Sequence, residues 1–75
     1  MNKNVLVDIE DHGYFIVLRA EVPSQPIQVW VEGTEVVIKG LSYTLRINTG
    51  AWLSPFAKPK IKYRHGVAEI TVYRR

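Results

Sequence analysis

Cysteine is absent from the 75 residues of the chain. Its absence excludes disulfides, thiolate metal sites and thiol nucleophiles, so the fold must rest on its core alone. A cysteine-free chain also fits a reducing compartment. No apolar run is long enough to span a bilayer. The opening Met1-Asn2-Lys3-Asn4 lacks the apolar segment of a secretory signal. The expectation is a cytoplasmic protein with no membrane partner. A helical period is missing as well, since no segment sustains apolar residues at intervals of three and four. The glycines are scattered at turns and build no phosphate-cradling loop. Histidine occurs only as His12 and His65, each followed by glycine in an expected turn. Turn placement explains both without metal chemistry, and no set of ligands at metal-binding spacing accompanies them. Ser24, Ser42 and Ser54 stand in no nucleophile-elbow context. The expectation is that the chain is not an enzyme and carries no metal and no cofactor.

What is present is abundant valine, isoleucine, threonine and tyrosine in short alternating runs. Apolar residues make up 47% of the chain and argue for a folded core rather than disorder. The length allows one domain, residues 1–75. Val5, Val7 and Ile9 alternate with Leu6, Asp8 and Glu10 and predict a first strand, closed by a turn at Asp11-His12-Gly13. Asp8, Glu10 and Asp11 are read as a solvated hairpin end. Tyr14 to Val22 follows as a strand. Its charges Arg19 and Glu21 must face water beside Phe15 and Val17, leaving Ile16, Leu18, Ala20 and Val22 for the core. Pro23-Ser24-Gln25-Pro26 ends the ladder. Ile27, Val29 and Val31 predict the third strand, Glu32-Gly33-Thr34 a turn, and Val36 and Ile38 the inward residues of a fourth strand that Gly40 closes. Leu41, Tyr43, Leu45 and Ile47 predict a fifth strand. Thr49 to Pro59 is the one long connection. Ile61 to Val72 then reads as a hairpin about His65-Gly66, with Ile61 and Tyr63 half-buried and Ala68, Ile70 and Val72 inward. Seven short strands punctuated by turns predict an all-β antiparallel sandwich or small barrel.

The net charge of +3 and a pI near 9.5 are mildly basic. Lys58, Lys60, Lys62 and Arg64 recur at period two and place a stripe of cations on one face of the sixth strand. Such a stripe can contact phosphates in a salt-dependent way. Trp30 points away from the core by alternation, and Trp52 and Phe56 lie on the long connection. These three are candidates for an exposed aromatic patch of the kind that marks partner surfaces. Packing of Trp30 on a neighbouring loop, with Trp52 and Phe56 capping an open end, would account for them equally well.

Several stretches, in order, resemble landmarks of the α-crystallin domain of small heat-shock proteins. Tyr14-Phe15-Ile16-Val17-Leu18-Arg19-Ala20-Glu21-Val22-Pro23 resembles the family's strand ending in Leu-Pro-Gly. Ile27-Gln28-Val29-Trp30-Val31-Glu32-Gly33 resembles its Ile-x-Val-x-Val-x-Gly turn. Val36-Val37-Ile38-Lys39-Gly40 resembles its Leu-x-Ile-x-Gly, and Ile61 to Ile70 its Ala-x-Tyr-x-Asn-Gly-Val-Leu-x-Ile. The resemblance implies an immunoglobulin-like seven-strand antiparallel sandwich of the α-crystallin-domain type. It also implies that the Ile27 and Ile61 strands are edges with a groove between them. Val29, Val31, Ile61 and Tyr63 would line that groove and receive an extended apolar segment. With the Ile61 strand at an edge, the cation stripe reads as edge protection in preference to a nucleic-acid surface.

The departures shape the expectation further. After Gly40 the chain enters the Leu41-to-Ile47 stretch at once, without the long loop that carries the family's exchanged dimerisation strand. The arginine usual on the fifth strand is replaced by Tyr43, and the leucine usual after Gly-Val by Ala68. The family's N-terminal arm and its C-terminal Ile-x-Ile anchor find no counterpart in these residues. The chain is also similar to the trimmed sandwiches of CS-domain co-chaperones and of the small heat-shock-like domain of arsenite-pump-type ATPases. The expectation is an ATP-independent chaperone or peptide-binding module for protein segments, monomeric or weakly dimeric and active in the stress response. The alternatives are an adaptor dedicated to one partner such as an ATPase and, behind both, a basic nucleic-acid binder.

Overall fold

The structure, a computed structural model, describes residues 7–22 and 27–75. The expected start of the first strand at Val5 and the turn at Pro23-Ser24-Gln25-Pro26 fall outside the described residues, as the latter occupy positions 23–26. Among the described residues seven strands form: β1 (Val7–Asp11), β2 (Phe15–Glu21), β3 (Gln28–Glu32), β4 (Glu35–Lys39), β5 (Thr44–Asn48), β6 (Lys60–Arg64) and β7 (Val67–Tyr73). They pair antiparallel into two sheets, ordered β1-β2-β7-β6 and β3-β4-β5. The fold is therefore all-β with two antiparallel sheets. Among the described residues no helix is long and apolar enough to cross a membrane.

Register sets the core. Ile16, Leu18 and Ala20 of β2 pair with Val72, Ile70 and Ala68 of β7. Val36 and Ile38 of β4 supply the opposing sheet. All eight are at most 1% exposed. Because side chains alternate along a strand, one parity of β2, β4 and β7 faces this shared interior. The expected inward set on β2 is thus the observed one.

Position within a sheet decides what alternation alone cannot. β2, β7 and β4 are flanked on both sides, whereas β1, β6, β3 and β5 are edges. A four-stranded sheet laid over a three-stranded one leaves its outer strands short of cover. Ile61 and Tyr63 accordingly remain 41% and 37% exposed, and every residue of β6 is exposed. The half-buried sixth strand expected from its period is corrected to an exposed edge whose inward residues lie open. Conversely, Val17 and Val37 sit on outward faces and are nonetheless buried. Each lies on a central strand, where neighbours on both sides shield it from water.

The turns differ from expectation in detail. β4 and β5 are joined through residues 40–43, closed by a 3.0 Å hydrogen bond from the Gly40 amide to the Tyr43 carbonyl. Leu41, expected on the inner face of the fifth strand, instead projects from this turn at 82% exposure, and Tyr43 precedes β5. Tyr14 likewise precedes β2 and faces solvent. The β6–β7 turn is as expected: His65 and Gly66 both take positive φ, 54° and 78°, as a two-residue hairpin twisted to match its strands requires.

The connection from Thr49 to Pro59 contributes more than a link. Ala51 and Leu53 are 7% and 3% exposed and belong to the core. The segment bonds to both sheets. Thr49 and Leu53 donate their amides to the carbonyls of Thr34 and Gly33, at the β3–β4 turn. Ser54 donates to the Tyr73 carbonyl, and the Arg75 amide donates to the Trp52 carbonyl, around an isolated bridge between Leu53 and Arg74.

Candidate functional site

The residues read from sequence as a groove are partly brought together. Val29 and Val31 lie on the inner face of β3, opposite Ile38 and Val36, and pack against the core. Beside them opens a hollow of about 420 Å³, lined by Val29, Trp30, Val31, Pro55, Ala57, Lys58 and Pro59. Its far wall is the chain leading into β6, not β6 itself. Ile61 and Tyr63 continue beyond it on the inner parity of β6, opposite Ile70 and Ala68. The Tyr63 hydroxyl donates a 2.8 Å hydrogen bond to the Val22 carbonyl, which fixes the outer end of that ring.

Tyr43 packs against the core near this end, and its hydroxyl is buried with no hydrogen-bond partner among the described residues. Burial, with Tyr63 nearby as a second cause, raises its ionisation above the usual phenol range. Gly40 leaves the space that the Tyr43 ring occupies.

The three candidate aromatics separate. Trp52 and Phe56 are 63% and 92% exposed. Trp30 is half-buried, which corrects its place in an exposed patch. It lies on the outer face of its sheet, directly across from Val37, which in turn pairs with Arg46. The Trp30 indole N–H donates to Glu32 at 2.7 Å, and Arg46 reaches Glu32 at 2.9 Å and Glu35 at 3.2 Å. Indole and guanidinium therefore meet on one carboxylate above a buried valine. The hydrogen bonds from Arg46 and then Trp30 lower the Glu32 ionisation below the usual carboxylate range. Alternation gave the outward direction of Trp30 but carries no signal for a partner two strands away.

The cation stripe divides in the same way. Lys60, Lys62 and Arg64 lie on the outer parity of β6, opposite Thr71, Glu69 and Val67. Lys58 precedes the strand and faces the hollow instead. None of the four makes an ion pair among the described residues. Glu69, the one acid across from the stripe, is held by Arg19 at 2.9 Å. Lys60 and Lys62 also border a second hollow of about 420 Å³ with Phe15, Glu69, Thr71 and Tyr73.

The acids near the first turn are more than a solvated end. Arg19 spans from Glu69 to Glu10 at 3.1 Å and Asp8 at 3.4 Å. Asp11 accepts the Gly13 amide at 2.9 Å and pairs with Arg74. Glu10 is pulled below its usual range by the hydrogen bond from His12 and then by Arg19, and Asp11 by the Gly13 amide and then Arg74. His12 also stacks on Phe15, ring centroids 4.9 Å apart. His65 stays in its turn, remote in sequence from any such cluster. Among the described residues no three of His, Asp and Glu gather where they could hold a metal ion. Compared with protein-family models, with curated proteins and with solved structures, the chain matches none of them.

Proposed function

We propose that this chain is a small heat-shock-like module of the α-crystallin-domain type. It captures apolar protein segments along its open sheet edges without ATP. The observation that carries this reading is the state of the two edges. β3 presents Val29 and Val31 beside a hollow of about 420 Å³, and β6 leaves Ile61 and Tyr63 41% and 37% exposed on its inward side. An extended segment laid there would find unpaired backbone groups for hydrogen bonds and apolar positions for alternate side chains. The placement of both strands at sheet edges supports the resemblance as well. The test is suppression of heat-induced aggregation of a model client, read by light scattering at rising ratios of this protein. Near-stoichiometric suppression is expected. Ile61→Asp, at an open position, should abolish it while circular dichroism stays native, and Val31→Asp, which packs against the core, should do so wherever circular dichroism shows the fold retained, because a desolvated carboxylate opposes apolar docking. Undiminished suppression by both folded variants would remove the edges as the site.

A second reading, an adaptor for one dedicated partner, is favoured by the tight β4–β5 connection. Residues 40–43 suffice for it, so no strand lies between β4 and β5 for exchange with another subunit. Silence in the client assay, with one protein retained on an affinity column of the folded chain, would select that reading.

A further inference from the structure

We infer that the β6 edge selects its partner by charge: the segment it accepts as an added strand alternates acidic and apolar residues. The inference rests on the edge-capture reading above and specifies its partner. β6 is bonded to β7 along one side, and among the described residues no strand pairs with its other side. Its two parities differ sharply. Ile61 and Tyr63 point inward and remain open, while Lys60, Lys62 and Arg64 point outward and make no ion pair among the described residues. The neighbouring strand offers these three cations a single acid, Glu69 opposite Lys62. Thr71 and Val67 are uncharged, and Arg19 already occupies Glu69. Their charge is therefore left for whatever lies across the free edge.

A strand added there would place alternate residues directly opposite the cations, with Cβ atoms about 5 Å apart. Like charges at those positions repel and acids attract, while the intervening residues would meet Tyr63 and Ile61 on the apolar side. The fitting sequence is acid-apolar-acid-apolar-acid. The chain carries a short piece of this alternation itself: β1 includes Asp8-Ile9-Glu10, and Arg19 on the adjoining strand binds Asp8 and Glu10. The same sheet thus already uses cation-to-acid pairing across strands. A single-stranded nucleic acid would use the cations but not the open apolar parity beside them. Nor is Phe15, next to the stripe, free to stack a base on both sides, since His12 covers it.

The test is fluorescence anisotropy with labelled peptides containing Glu-Val-Glu-Ile-Glu, Gln-Val-Gln-Ile-Gln or Lys-Val-Lys-Ile-Lys, alongside a labelled oligo-deoxythymidine. The acidic peptide should bind roughly tenfold or more tighter than the neutral one. The lysine peptide should bind weakest. Lys60→Glu combined with Lys62→Glu should invert the order, a result that a merely weakened fold would not produce. Equal binding of acidic and neutral peptides would overturn charge selection yet leave edge capture standing. Binding of no peptide by the folded protein would overturn both. Tight, salt-sensitive binding of the oligonucleotide that displaces the acidic peptide would assign the cations to phosphates and overturn the inference. Self-association abolished by the double charge reversal would assign the edge to the acidic β1 of another copy, and would likewise overturn a separate partner.

Discussion

Gly40 and Tyr43 show how one residue's absence of bulk fixes another's place. A Cβ built on Gly40 would run into Cε2 of the Tyr43 ring, far inside contact distance. Gly40→Ala should therefore expel the ring or distort the β4–β5 turn, at about 1–3 kcal/mol of stability. Tyr43→Ala should cost a similar amount by losing packing. In the double variant the two losses should not add, because the clash vanishes with the ring. Chemical denaturation of the four proteins measures the coupling, and strict additivity would mean that the turn absorbs the methyl group elsewhere. Neither partner of this contact announces it in the sequence. Gly40 reads as a strand terminator and Tyr43 as an inward residue of the fifth strand, and only the turn brings the ring back over the glycine.

Strands were legible where alternation and burial coincide, as on β2, whose Ile16, Leu18 and Ala20 form the expected inward row. They were less legible where sheet position overrides pattern. β6 has the same alternation but lies at an edge, so its apolar residues stay open. Val17 and Val37 sit on polar parities of central strands and are covered from both sides. The candidate groove was legible in the same partial way. Val29 and Val31 follow from parity, whereas Pro55, Ala57 and Pro59, which form the opposite wall, come from a connection with no period to read. Leu53 belongs to that connection and is 3% exposed. Leu53→Ala should lower stability by about 2–5 kcal/mol, as for a core leucine, measured by urea unfolding. A loss near zero would show that the segment is peripheral after all.

Across the whole molecule, charge is distributed by edge. On the outer face of the four-stranded sheet, β1 carries Asp8 and Glu10 and β6 carries Lys60, Lys62 and Arg64, with Arg19 and Glu69 paired between them. Glu10, Asp11 and Glu32 all ionise below their usual range in the folded state. A carboxylate so depressed binds its proton less readily when folded than when unfolded. Its contribution is present above the unfolded value and is lost as pH falls through the folded one. The thermal midpoint should therefore fall as pH is lowered through and below the carboxylate range. The groups are exposed and screened, so molar salt should flatten the decline. A midpoint indifferent to both acid and salt would mean that these pairs exert no net pull.

The segment bonded to both sheets has a mechanical consequence. On one side Thr49 and Leu53 hold the turn of the three-stranded sheet, and on the other Ser54 and Trp52 hold the chain around the end of β7. Tension that draws the sheets apart is carried by these bonds together, in the manner of a rivet through two plates. The layers should then resist sliding as one body, while the outer rims of the strands, where the open positions lie, stand outside these bonds.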